Sequence, residues 1–356
     1  MSDPRILAIE SSCDETAAAI VRGFWVESSV VASQIEVHAR FGGVVPELAS
    51  RHHLGAVVPV VREAMKAAGV VELSELDGLA VTAGPGLVGA LLVGVQMARG
   101  MAAVSRLPLF GVHHMEGHIV SAFLGDAVDG FRRAPEEFAP HVALLVSGGH
   151  TEIVHVAGFG DYTILGATRD DAAGEAYDKV AKLLGLGYPG GPVIDRLAAE
   201  GDPHAIDFPR AMTAKKHEFE FSFSGLKTAV LVHTERGGMP RSRAELTDLC
   251  ASFQAAVVDV LTLKARRACR QLKLPRLHVV GGVSANRGLR ARLEQIAEED
   301  GIALRVPPLR YCGDNAAMIA AAAAARARVG QAPGVELFTS RAIDDPRVRV
   351  ARGVES

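Results

Sequence analysis

A two-part plan that occurs twice along the chain narrows its folds to a small set. Residues 6–21 form an apolar run, a small polar turn (Ser11-Ser12-Cys13-Asp14-Glu15-Thr16) and a second apolar run. Residues 142–156 repeat this with Ser147-Gly148-Gly149-His150-Thr151 as the turn. Both read as β-hairpins whose tips carry hydroxyls and free backbone N–H groups. Each is followed later by a strand, a glycine turn and a helix. In the first half these are 79–83, Gly84-Pro85-Gly86 and 87–103; in the second they are 277–280, Gly281-Gly282 and 285–297. The repeat predicts an α/β chain of two similar lobes. A cleft between such lobes would gather both hairpin tips and both glycine turns, which is a nucleotide site in outline.

The length of 356 residues suits two domains better than one core. Charge limits the partners: 38 basic against 41 acidic residues give −3, whereas a chain that grips nucleic acid alone is usually basic. A nucleic-acid role therefore needs a local patch or a helper subunit. The four cysteines (Cys13, Cys250, Cys269, Cys312) form no CxxC pair and read as reduced cytosolic thiols. Residues 1–5 lead into an apolar run of only four residues, 6–9, so no signal peptide is expected. The most membrane-like stretch, 79–104, is interrupted by Gly84-Pro85-Gly86 and carries Arg99, which favours a buried strand–turn–helix. Helices are also expected over 54–68, closed by Gly69, and over 168–184, closed by Gly185. The loop-prone stretch 125–139 marks the border between lobes.

Within this plan His113-His114-Met115-Glu116-Gly117-His118 places His114 and His118 four apart, on one side of a helix, as a metal pair requires. Helix histidines satisfied by neighbouring carboxylates are the commoner explanation of an isolated H-x-x-x-H. It is not the H-E-x-x-H of a zinc protease, since Glu116 follows His114 by two. Gly313-Asp314-Asn315, ahead of the alanine-rich stretch 316–326, could supply a third ligand, a helix N-cap, or both. Two histidines and a carboxylate suit iron or zinc. The turn Leu145-Val146-Ser147-Gly148-Gly149 could hold phosphate on its backbone N–H groups, or be a plain tight hairpin. Asp171, Glu175 and Asp178 lie along one face as a solvated acidic surface or as ribose contacts beside 187–192. Gly281-Gly282 lets a flat base or phosphate approach the backbone, and Asn286 is either part of that or an N-cap. Gly84-Pro85-Gly86-Leu87-Val88-Gly89 matches G-x-G-x-x-G, but His113-His114 stands where a dinucleotide fold closes its next strand with an acid.

Taken together and in order, these motifs make the chain similar to the TsaD family, which forms threonylcarbamoyladenosine at position 37 of tRNA. The matching stretches are 9–16, 42–53, 82–89, 113–118, 145–152, 170–192, 221–228, 281–286 and 313–315, in a bacterial rather than archaeal form. The resemblance implies an α/β chain with two similar lobes of the actin/Hsp70/sugar-kinase-like fold and a nucleotide cleft between them. The lobes would be 1–136 and 137–325, with a C-terminal segment 326–356 that can fold back on the first. It implies one divalent metal ion, iron(II) or alternatively zinc, on His114, His118 and Asp314. Substrate contacts carry over to Leu145, Val146, Ser147, Gly148, Gly149, Asp178, Gly191 and Asn286, with Asp195 as a further candidate. The stretch 125–139 is longer than the family leads one to expect.

The reaction so implied moves a threonylcarbamoyl group from threonylcarbamoyl-AMP to N6 of adenine in a tRNA anticodon loop, in the cytoplasm and away from any membrane. The amine is a poor nucleophile, so positioning and charge stabilisation matter more than a strong base. Asp14 and Glu15 are the candidates for a base. Arg51, Lys215, Lys216 and Lys227 are candidate phosphate contacts. A TsaB-like paralogue and a TsaE-like ATPase are the implied partners. The rival readings are a metal-dependent peptidase and a nucleotide-binding module or sugar kinase of the same fold.

Overall fold

The computed structural model describes residues 3–128, 138–214 and 217–348. Its contacts form two compact units, one of Met1–Ala139, Ala157–Thr163 and Pro307–Ser356, the other of Pro140–Val156 and Ile164–Val306.

The first sheet contains β1 (Arg5–Glu10), β2 (Glu15–Arg22), β3 (Trp25–Ser33), β4 (Gly78–Gly84), β5 (Leu109–His113) and β6 (Gly125–Asp126). Among the described residues its order is β5-β4-β1-β2-β3-β6. β1–β2 and β2–β3 are antiparallel, while β4 pairs parallel with β1 and with β5. The second sheet contains β7 (His141–Val146), β8 (Thr151–Gly158), β9 (Asp161–Ala167), β10 (Arg276–Val280) and β11 (Ala303–Arg305). Its order is β11-β10-β7-β8-β9, with β7–β8 antiparallel and β10 parallel to both neighbours. Strand for strand this is the first sheet without β6, so the repeated plan is one connectivity used twice.

The first unit carries α1 (Ile35–Ala39), α2 (Pro46–Ala67), α3 (Val88–Ser105), α4 (His114–Ser121) and α10 (Ala316–Arg328). The second carries α5 (Ala173–Leu183), α6 (Gly190–Ala198), α7 (Ser224–Gly237), α8 (Arg243–Leu272) and α9 (Arg287–Asp300). Leu7, Ile9, Ala18, Ile20, Leu79 and Val81 pack against Val57, Val60 and Val61 of α2 and Val95 of α3. Alternation along each strand turns Ala8, Ala17, Ala19 and Ala80 the other way. α10, which packs on β1, β2 and β4, is itself buried along an alanine run from Ala316 to Ala325. Small side chains on both surfaces let helix and sheet lie close. Gly117 serves the same end, because a Cβ there would come 2.8 Å from Ile319 Cδ1.

Three expectations need correction. α2 begins at Pro46 rather than 54, because proline at the first helical position needs no hydrogen-bonded N–H. The helix expected from 168 begins at Ala173. Thr168 instead bridges to Phe221, and the Asp170 carboxylate accepts four hydrogen bonds from Ser222, Phe223 and Ser224 at the start of α7. Residues 307–325, assigned above to the second lobe, group with the first unit, since α10 packs on the first sheet.

After α10 the chain returns along β5. Gly111 N–H donates to Gly334 O and Gly334 N–H to Leu109 O, both at 2.8 Å. α3 and α8 are long and apolar enough to cross a membrane; the apolar window of α8 is 72% buried inside the protein.

Candidate metal centre and phosphate turn

The metal candidates all lie in the first unit. β5 runs directly into α4, and His113 caps that helix by accepting from Met115 N–H at 3.2 Å. One turn apart, His114 and His118 then face the start of α10. There Asn315 takes the N-cap, its Oδ1 accepting from Met318 N–H at 3.0 Å, which frees Asp314 to face the histidines. Asp314 Oδ1 lies 3.3 Å from His114 Nε2 and 3.2 Å from His118 Nε2. One ligand atom from each residue lies within 4.8 Å of the others.

His118 is fully buried, and among the described residues neither ring nitrogen has a hydrogen-bond partner; the contact of Nε2 with Asp314 lacks hydrogen-bond direction. Buried imidazole nitrogens are normally satisfied, so an orphan pair beside a carboxylate fits a cation. Charge agrees with this. Burial works against charge on His114, yet Asp314 and Glu10 overcome it and hold the imidazole well above its ordinary pKa. The site draws positive charge.

Behind His114 lies Glu10, buried at the end of β1. It accepts from Ser12 N–H and from the Thr82 hydroxyl, each at 2.5 Å, and its Oε2 is 3.1 Å from His114 Nδ1. The hairpin tip is held from the other side by His53. Its ring bonds Thr16 Oγ1 at 2.7 Å and Cys13 O at 2.9 Å.

The second unit holds the phosphate candidate. Ser147 N–H donates to His150 O at 2.8 Å, and His150 N–H to Ser147 Oγ at 3.1 Å, closing the β7–β8 turn. A Cβ on Gly148 or Gly149 would meet nothing within 4 Å, so the turn's backbone is open. The first turn of α5 packs under it, with Gly174 N–H bonded to Ser147 O at 3.2 Å. Gly281 (φ +92°) approaches so closely that a Cβ would lie 2.4 Å from Val146 O. Nearby, Gln254 links three side chains: it donates to Asp195 Oδ1 at 3.2 Å and accepts from Asn286 Nδ2 at 2.6 Å and Tyr177 OH at 3.4 Å.

The description of one protein family, tRNA N6-adenosine threonylcarbamoyltransferase (TsaD), matches residues 26–321. The enzyme of that name from Trichlorobacter lovleyi is 57% identical over 318 residues, 89% of this chain and 90% of its own. The Anaeromyxobacter dehalogenans enzyme is 55% identical over 335 residues, 94% of this chain and 97% of its own. This chain belongs to the TsaD family. Among solved structures, full-length HypF in a phosphate- and nucleotide-bound form superposes with a TM-score of 0.61 at 13% identity. That alignment covers 93% of this chain and about half (48%) of HypF, and supports the fold alone, an α/β fold with mixed sheets.

Against the TsaD motifs, His114, His118 and Asp314 come together as the resemblance implied. Leu145 and Val146 are wholly buried, so only their backbone can meet a ligand. Asp178 accepts from Gly190 N–H at 2.7 Å at the start of α6, and Gly191 next to it is open. Asp195 is bound by Arg287, Nε to Oδ2 at 2.8 Å. Asn286 caps α9, accepting from Leu289 N–H at 2.8 Å. Asp171 and Glu175 both pair with Lys179, at 2.7 and 2.8 Å, rather than standing free for ribose. Glu15 accepts from Ser33 Oγ at 3.1 Å, and burial, with the charges of Asp14 and Asp314, pushes its carboxyl up to about 9. Arg51 pairs with Glu47 on the surface of α2; Lys215, Lys216 and most of 125–139 lie outside the described residues.

Glu10, His53 and Gln254 were not foreseen as site residues. Glu10 and His53 lie within the matching stretches 9–16 and 42–53, but their partners, like that of Gln254, are 104, 40 and 59 residues away along the chain, so nothing local gives them a role. The peptidase reading, already without a Glu next to His114, gains none from Glu116, which is fully buried between Arg326 and Tyr162.

Proposed function

We propose that this chain transfers the threonylcarbamoyl group of threonylcarbamoyl-AMP to N6 of adenosine 37 in tRNA, with release of AMP. The observation that carries the reading is the cluster of His114, His118 and Asp314, in which buried His118 makes no hydrogen bond from either ring nitrogen among the described residues and turns Nε2 to Asp314 at 3.2 Å. These three residues would hold one divalent ion, iron(II) or zinc, which when bound supplies Lewis-acid stabilisation of negative charge on a donor oxygen.

The chain's own groups do the rest. Gly148 and Gly149 offer open backbone and Ser147 its hydroxyl, backed by the start of α5, for the donor's phosphate. Gly282 and Gly191 leave room for the nucleoside, while Asn286 and Asp195 shape the walls around it. The base is open between Asp14 and Glu15. Near neutral pH the metal-free chain holds Glu15 protonated, which suits a donor of a hydrogen bond better than a base. Unchanged single-turnover transfer after alanine replacement would remove either residue from the chemistry.

Partners follow from surface and charge. Leu54 and Val58 on α2, and Val88 and Leu92 on α3, are exposed apolar residues on two helices that pack together. We assign this face to a TsaB-like paralogue. A TsaE-like ATPase completes the set by family resemblance, and the net charge of −3 predicts weak tRNA binding by this chain alone. Four cysteines that form no disulfide, three of them buried, suit a reducing cytoplasm and no membrane.

The test is incorporation of labelled threonine into unmodified tRNA, with bicarbonate, ATP and the enzyme that makes the adenylate. Wild type is compared with His114→Ala, with and without the partner proteins. Label at adenosine 37 that is lost in the variant supports both transfer and metal site. No label even with partners sinks the transferase reading.

A further inference from the structure

Glu10 is a buried carboxylate whose only salt-bridge partner among the described residues is a histidine. Burying such a group is costly unless its oxygens are satisfied. Three donors from three separate segments meet it: Ser12 N–H on the hairpin tip, the Thr82 hydroxyl on β4, and His114 on α4. An ionised carboxylate can only accept, so the His114 nitrogen facing it must carry the hydrogen. In a neutral ring this leaves the lone pair on Nε2, the atom 3.3 Å from Asp314 Oδ1. His118 has no such support, since among the described residues neither of its ring nitrogens has a hydrogen-bond partner.

We propose that Glu10 is a positioning residue for the metal centre, fixing the tautomer and the plane of His114 so that Nε2 is presented as a ligand. This rests on the metal reading given above. Glu10 is not itself a ligand, because it meets the ring nitrogen opposite the one that faces Asp314. Thr82 is the second element of the device: its hydroxyl bonds the same oxygen, Oε2, that faces His114, and so holds the carboxylate in register.

The experiment titrates the full-length metal-free protein with Co2+ and follows affinity and the visible absorption of the bound ion. Wild type is compared with Glu10→Gln, Thr82→Val and His114→Ala, with melting of each metal-free form as a check of folding. Glu10→Gln should bind Co2+ about 10- to 100-fold more weakly and with a shifted absorption band. Thr82→Val should give a smaller loss of the same sign. Wild-type affinity and spectrum in a folded Glu10→Gln overturn the proposal. If that variant does not fold, wild-type affinity in Thr82→Val overturns it instead. A wild-type protein that binds no Co2+ overturns the metal reading, and this proposal with it.

Discussion

Glu116 stands between His114 and His118 in sequence, yet its carboxylate points into a closed ion pair with Arg326, Oε2 to Nη2 at 2.6 Å. The pair ties α4, which carries both histidines, to α10, whose first turn follows Asp314. Tyr162 OH completes it by donating to the other carboxylate oxygen at 3.0 Å.

Removing one partner of that pair leaves a buried charge without compensation. Glu116→Ala should therefore cost about 3–5 kcal/mol of stability. Urea denaturation measures this. The double variant Glu116→Met with Arg326→Met should recover most of the loss, and a single variant within about 1 kcal/mol of wild type would refute the role given to the pair.

Gln254 holds the Asn286 amide and the Asp195 carboxylate in one arrangement. Gln254→Leu leaves both short of a partner, at a cost of about 1–3 kcal/mol. The same change should weaken AMP binding, read by calorimetry, while Co2+ binding stays as in wild type. Loss of Co2+ binding would show a general failure of the fold.

Gly281 combines φ +92° with a Cβ position 2.4 Å from Val146 O. Alanine there meets both strain and backbone collision, so Gly281→Ala should destabilise by at least about 1–3 kcal/mol. Gly282→Ala, where a Cβ meets nothing within 4 Å, is the matched control and should leave stability nearly unchanged. Equal melting temperatures for the two variants would contradict the close approach.

Glu15 sets a pH dependence whose sign can be worked out. Its carboxyl lies at about 9 in the folded metal-free chain against an ordinary 4.5. Between those values the folded state holds the extra proton, so stability falls as pH rises through the window. Glu15→Gln should flatten this slope, gaining on wild type more at about pH 8 than at about pH 5. Thermal melts of the metal-free proteins decide it, and a pH-independent difference would reject the assignment.

Much of this was open to reading along the chain. The duplicated strand order follows from two hairpins and two strand–glycine–helix passages, each a local pattern. His114, His118 and Asp314 could be named because one pair is four residues apart and the third precedes a helix. What stayed hidden depends on distant partners. Glu10 looks like any strand-end acid until Thr82 and His114 arrive beside it. The helix start at Pro46 was missed because Glu47, Ser50, Arg51 and His52 give its first turns little apolar pattern. Asp170 and Asp171 looked like the first turn of a helix, but one caps α7 and the other binds Lys179.

The return of the segment around Gly334 to the first sheet has a consequence for synthesis. By residue 306 the ribosome has delivered every strand and helix of the second unit, whereas the first still lacks α10 and the segment beside β5. The part translated first is thus the part completed last. Until then the alanine face of β1 and β2 has no helix to cover it, and the histidines have no Asp314. The cluster of His114, His118 and Asp314 therefore cannot form until both units' sheets have been synthesised.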